Sequence, residues 1–378
     1  GDGDDMMTKK AAPKVGSVTL DSPFALAPMA GMTDTAFRRL VKRRGGCGLV
    51  VTEMVSSEGL VRGIDRTLEY AEYTEEERPV SIQIFGGDPD KMADAAQIVE
   101  GLGADIVDVN MGCPVPKIAK HHAGCSLMRT PEHAAGVVRA MTEAVRIPVT
   151  VKMRAGWDDD HINAPRVARL MEDAGASAVA VHGRTAAQSY TGRSDWSLID
   201  RVARDVGIPV FGSGDCVSPE DLVGRLDETA VAGILVGRGA LRNPWIFEQA
   251  QRLEAGAGSG AVPAHDRGRF LLAYIDLLLR EGTNEREGFR HSAVRVSARS
   301  RRKRTAVTRE RWVINKLRAL GSWYTKGVHN GSKLRIAINQ ASSLDELRTI
   351  IRHHFELNDE ADTPAADGLE RAGSVSLA

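Results

Sequence analysis

Eight short apolar runs constrain this fold more than any other feature of the chain. They are Phe24–Ala27, Leu49–Thr52, Val80–Phe85, Ile106–Val109, Val149–Met153, Ala178–His182, Ile208–Phe211 and Gly233–Val236. Stretches with helical apolar spacing lie between them, as in Met92, Ala95, Ala96, Val99 and Leu102. Near-continuous apolar strands alternating with helices make a parallel sheet covered on both faces, because each crossover lays a helix over it. Eight such units in about 240 residues fit an α/β fold of the (β/α)8 TIM-barrel kind better than an open doubly wound sheet. Gly103-Ala104-Asp105 and Gly175-Ala176-Ser177 fit the same rhythm, each ending a helix on Gly before a strand.

Composition divides the chain. Its 378 residues allow two or three domains. Residues 1–14 are polar and charged and read as a disordered tail, with the barrel spanning 15–254. Ala255–Pro263 reads A-G-A-G-S-G-A-V-P, so a linker is placed at 255–265. Residues 266–356 read as an all-helical domain. Phe270, Leu271, Tyr274, Leu277 and Leu278 share one helical face, and Ser343 with Glu346 forms a capping-box pattern before Leu344–Phe355. Residues 357–378 are acidic, then Gly/Ala/Ser-rich, and read as a disordered tail.

Fifty Lys and Arg balance fifty Asp and Glu, which excludes a uniformly basic protein. The zero total conceals unlike parts: residues 286–318 carry a net +10, centred on Arg299–Arg304, and residues 356–370 carry −6. Such a basic stretch on a helical domain is a candidate phosphate-binding face. Trp312, Trp323 and Tyr324 lie beside it and read as core residues ahead of base-stacking ones. No membrane span and no secretory signal is read. Cys47, Cys113, Cys125 and Cys216 include no C-x-x-C pair, so neither a metal site nor a disulfide framework is expected, and the chain reads as cytoplasmic.

In this barrel class functional side chains stand at the C-terminal ends of the strands. Here those positions hold Glu53, Gln83, Asn110, Lys152, Arg154, His182, Arg184 and Asp215, a density of polar groups that packing does not explain. Gly212, Gly214, Gly237 and Gly239 with Arg238 follow the seventh and eighth strands, where this fold usually cradles phosphate. Lys152 is suited to an electron-rich ring or an enolate-like oxygen, with a Schiff base as the competing role. His182 and Arg184 suit a uracil-like or phosphate-bearing substrate, and Glu53 is either an acid-base group or an organiser of neighbouring cations. Cys113, in N-M-G-C-P, is a loop thiol placed to donate a proton, whereas Cys47, Cys125 and Cys216 read as buried and inert.

The motifs A-P-M-A-G-M-T-D (Ala27–Asp34), N-M-G-C-P (Asn110–Pro114), G-x-S-L-M (Gly124–Met128), V-K-M-R (Val151–Arg154), V-H-G-R-T (Val181–Thr185), and V-G-R-G-A with N-P-W-I-F (Val236–Phe247) resemble those of the tRNA-dihydrouridine synthases of bacterial type. The resemblance covers about residues 15–250 and, more weakly, 266–356. It implies FMN as cofactor, NADPH (or NADH) as reductant and tRNA as partner, with no stable protein partner. Pro28, Met29 and Ala30 would line the flavin ring, Gln83 and Lys152 would bond it, and Ser213, Gly214, Asp215, Gly237 and Arg238 would hold the phosphate end. Asn110, Arg154, His182 and Arg184 would face the flavin and the target uracil, and Cys113 would be the proton donor. Ser213 departs from the Asn that the family often carries there, so a side-chain contact at that point is in question. Two other functions compete: a flavin reductase of a free pyrimidine or small enone, similar to dihydroorotate dehydrogenase, and a non-catalytic tRNA-binding protein.

Overall fold

The structure, a computed structural model, describes residues 10–293 and 306–358. Eight strands form a closed parallel barrel: β1 (Phe24–Leu26), β2 (Leu49–Val51), β3 (Val80–Phe85), β4 (Ile106–Met111), β5 (Val149–Arg154), β6 (Ala178–His182), β7 (Val210–Ser213) and β8 (Gly233–Val236). Each pairs with the next, and β8 closes on β1 with Val236 opposite Leu26. This is the (β/α)8 architecture read from the alternation. The seventh strand is shifted: it begins at Val210 rather than Ile208 and runs to Ser213.

Local chemistry sets the helix limits. Asp34 caps Thr35–Arg44 by accepting from the Phe37 amide, and Asp195 caps Trp196–Asp205 through Leu198. Ser218 and Asp221 make a reciprocal capping box at Pro219–Glu228. Gly103 and Gly175 take φ of +83° and +99° on leaving their helices, a region that favours residues without Cβ.

Side-chain alternation divides the barrel interior into layers. The lower layer is apolar: Ala25, Leu49, Ile106, Ala178, Phe211 and Leu235 pack with Val15 and Leu20. Val15 belongs to a small hairpin in which Lys14–Val15 pairs antiparallel with Val18–Thr19. Residues 10–14 therefore do not join a disordered tail; residues 1–9 lie outside the described residues. The Lys10 ammonium donates to the carbonyls of Leu226, Thr229 and Val231.

Two compact units divide the described residues, 10–260 with 285–293 in one and 261–284 with 306–358 in the other. The region 266–356 is thus neither one body nor all helix. Arg290–His291 is a strand paired with Tyr73–Thr74, and Arg290 bridges Glu285 at 2.6 Å and Glu72 at 3.6 Å. The second unit holds the helices Ala264–Arg280, Ala306–Tyr324, Gly331–Gln340 and Leu344–His354. All five residues of the expected apolar face, Phe270 to Leu278, are buried. Tyr324 stacks on Phe270 with ring centroids 5.6 Å apart, while Trp312 and Trp323 stay half-exposed beneath Lys316 and Lys326. Ser343 caps its helix alone, because the Glu346 carboxylate accepts from Ser342 instead. The run Arg299–Arg304 and the tail from 359 lie outside the described residues.

Candidate active site

The upper layer of the barrel is polar. Register places Gln83 beside Asp108 on β3 and β4, Asn110 beside Lys152 on β4 and β5, Arg154 beside His182 on β5 and β6, and His182 beside Ser213 on β6 and β7. The strand-end residues singled out in the sequence therefore converge on one end of the barrel.

Lys152 is half-buried and its ammonium has no hydrogen-bond partner among the described residues. Burial, with the Arg154 cation adding to it and Asp108 opposing, pulls its pKa down to about 8. His182 is buried among Lys152, Arg154, Arg184 and Arg238, and burial first, then those cations, pushes its pKa down to about 2. It is thus neutral at any working pH. Arg184 Nη1 lies 3.1 Å from His182 Nε2. A guanidinium only donates, so Nε2 accepts and the ring proton sits on Nδ1.

Cys113 follows β4 and is half-buried, whereas Cys47, Cys125 and Cys216 are buried. Burial pushes the Cys125 thiol up to about 11 and the Cys216 thiol up to about 12, so neither forms a thiolate readily. The Asn110 side-chain carbonyl accepts from the amides of Gly112 at 3.2 Å and Cys113 at 2.9 Å, which fixes the start of the loop. The Cys113 carbonyl accepts from the Cys125 amide at 3.0 Å.

The turn after β1 carries Pro28 and Met29, half-buried, and Ala30, exposed. Its T-D pair is structural: the Met29 amide donates to Thr33 Oγ1 at 3.1 Å, and Asp34 is the helix cap. Glu53 organises the same turn by accepting from the Gly31 amide.

The two arginines of the set stand differently from expectation. Each is 3% exposed, with its guanidinium bonded to backbone carbonyls. Arg154 donates to Gly112, Thr185 and Ser189, and Arg184 to Thr191, Gly192 and the Asp215 carboxylate. They pin loops rather than open onto the cavity. The phosphate-loop glycines also divide. A Cβ on Gly212 would meet the Trp196 ring at 2.3 Å, and one on Gly239 the Cys216 carbonyl at 2.5 Å. Gly214 has φ +112° and lies against Ser194 and His182. At Gly237 nothing comes nearer than 3.5 Å, so its backbone alone of the four is unobstructed, with Arg238 next to it. Asp215 receives Arg184 and the Ser194 amide, which together hold its carboxyl below the usual range against the burial that raises it.

Sequence reasoning missed Asp108, Thr150 and Tyr190. Asp108 and Thr150 share the inward faces of Asn110 and Lys152, so a period-two count along β4 and β5 finds them. Tyr190 carried no such signal. Its ring lies 4.7 Å from the Arg238 guanidinium, 5.4 Å from that of Arg154 and 6.5 Å from the His182 ring.

A parallel barrel with cations, amides and one half-buried thiol gathered at its strand ends defines an enzyme, and the half-buried cation suits an electron-rich ligand. The dihydrouridine synthase family model matches residues 25–358, and the chain belongs to that family. It is 42% identical over 263 residues to tRNA-dihydrouridine synthase B of Pseudomonas aeruginosa, covering 69% of this chain and 79% of the relative. It is 43% identical over 250 residues to a probable tRNA-dihydrouridine synthase of Rhodobacter capsulatus, covering 66% and 76% respectively. A probable tRNA-dihydrouridine synthase of Rickettsia conorii is 42% identical over 237 residues, or 62% of this chain and 71% of the relative.

Proposed function

We propose that this chain reduces a specific uridine of tRNA to 5,6-dihydrouridine, with FMN as cofactor, NADPH as reductant and Cys113 as proton donor, in the cytoplasm. The observation that carries this is the convergence of Gln83, Asn110, Lys152 and His182 on the barrel mouth beneath the Cys113 loop. The chain fits the cofactor. The Lys152 ammonium offers unpaired donors to an electron-rich ring, and the open backbone at Gly237 with Arg238 suits a phosphate. Pro28, Met29 and Ala30 would line the ring, and Ser213, Gly214 and Asp215 would border the phosphate end through their backbone. Bound FMN supplies hydride to carbon 6 of the uracil.

Hydride addition leaves an enolate-like charge on the base. Lys152 as a cation and His182 through its Nδ1 proton steady that charge. Cys113 delivers its thiol proton to carbon 5, and a positioned acid is typically worth ~10²–10⁴-fold. Asn110 holds the loop that carries the thiol. Arg154 and Arg184 serve the substrate by fixing the loop of Tyr190. The base must leave its stack to enter the barrel mouth.

The test is to load the purified chain with FMN, supply NADPH and an unmodified tRNA transcript, and quantify dihydrouridine. Formation of dihydrouridine at one position is the expected result. Flavin binding without any dihydrouridine overturns the reading, and equal turnover of free uracil would favour the small-pyrimidine reductase.

A further inference from the structure

Asp108 takes no part in the chemistry above, yet its carboxylate stands in the barrel interior two residues before Asn110 on the same face of β4. It is 7% exposed. An ionised carboxylate only accepts hydrogen bonds. Oδ1 accepts from the Thr150 hydroxyl at 2.5 Å, and Oδ2 accepts from Gln83 Nε2 at 2.8 Å. That second contact decides which way the Gln83 amide faces. Its Oε1 is left toward Asn110, whose Nδ2 donates to it at 3.1 Å. Asn110 Oδ1 therefore points away, to the amides of Gly112 and Cys113. Each amide side chain has one donor end and one acceptor end, so every link orients the next. The two termini agree: the relay begins on an acceptor-only group and ends on two backbone donors. Burial raises the Asp108 carboxyl, while Thr150, Gln83 and the nearby Lys152 favour its charged form.

We propose that Asp108 is a positioning residue. Through Gln83 and Asn110 it sets the direction of a hydrogen-bond relay that holds the Cys113 loop, and so governs protonation of the uracil without touching it. The inference rests on the reaction proposed above, and its test has one arm that does not.

The full-length chain is compared with Asp108→Asn, Asp108→Leu and Asp108→Ala. Asparagine can still accept from Gln83 while donating to the Thr150 hydroxyl, so the relay keeps its direction. Leucine and alanine both remove the acceptor for Gln83. The first arm, without cofactor or tRNA, follows alkylation of Cys113 by iodoacetamide through the mass of its peptide. The Leu and Ala variants should change that rate about threefold or more, with Asn close to the parent. The second arm follows single-turnover dihydrouridine formation by dithionite-reduced, FMN-loaded enzyme. The same two variants should lose between about tenfold and a hundredfold, the scale of a loss of near-attack geometry, with Asn within about threefold of the parent. Leu matching the parent in the first arm overturns the proposal, as does Asn as impaired as Leu. If the Leu variant is not recovered folded, the Ala variant decides the same question. A parent chain that makes no dihydrouridine defeats the reaction, while the alkylation arm still judges the relay.

Discussion

At the scale of the residue, the site assigns separable tasks that separate measurements can read. Cys113→Ala should bind FMN and undergo flavin reduction as the parent does, while dihydrouridine formation falls by roughly 10²–10⁴-fold. Stopped-flow absorbance follows the first and single-turnover tRNA assays the second, and undiminished turnover would remove Cys113 from the mechanism. Lys152, with a pKa drawn down to about 8, is a cation below that pH and neutral above it. A step that needs the cation therefore slows as pH rises through about 8. Lys152→Arg should shift that alkaline limb upward even where the absolute rate drops, since a guanidinium stays charged. His182, neutral far below its ordinary range, should add no limb near pH 6.5. Most of these residues were legible in the sequence because they stand at strand ends. Asp108 lies one layer down: a period-two count places it on the inward face, but nothing in the motif marks it as part of the chain leading to Cys113.

At the scale of the element, the loops at the barrel mouth depend on long-range side-chain bonds. Arg154 joins the loop after β4 to the loop after β6 by donating to Gly112, Thr185 and Ser189. Arg154→Lys keeps the charge but cannot span three carbonyls. It should cost about 1–3 kcal/mol in chemical denaturation and raise the proteolytic sensitivity of the Tyr190 loop. Gly212→Ala tests the other kind of constraint. Its Cβ would sit 2.3 Å from the Trp196 ring on the helix that follows β6, so a loss of about 1–3 kcal/mol is expected without any role for phosphate. A glycine-rich strand end looks the same in the sequence whether the missing side chain makes room for a ligand or for a tryptophan.

For the whole molecule, the charge balance of the sequence resolves into internal and outward cations. Three of the cations counted in the basic stretch are held within their own unit. Arg290 is bound to Glu285 and Glu72, Arg309 to the carbonyls of Leu278 and Leu279, and Arg318 to that of Ala341. Arg318→Ala should therefore lower the melting temperature and leave the salt dependence of tRNA binding alone. Lys326→Ala, at an exposed ammonium above Trp323, should instead reduce the slope of log affinity against log salt by about 0.7–0.9, the value of one phosphate contact. Binding titrations across a salt series check both.

The sequence by itself determined the barrel and the membership of the strand-end set, because these rest on local periodicity. Only the tertiary structure decided which polar groups face the cavity and which hold the walls. Arg154 and Arg184 read as substrate cations, and the structure adds carbonyl partners for both, as many as 42 residues away for Arg154. Carbonyls left unpaired in a buried loop need a donor, and a guanidinium supplies several. Where those carbonyls lie depends on how distant loops fold over the barrel mouth, and no spacing along the chain encodes that.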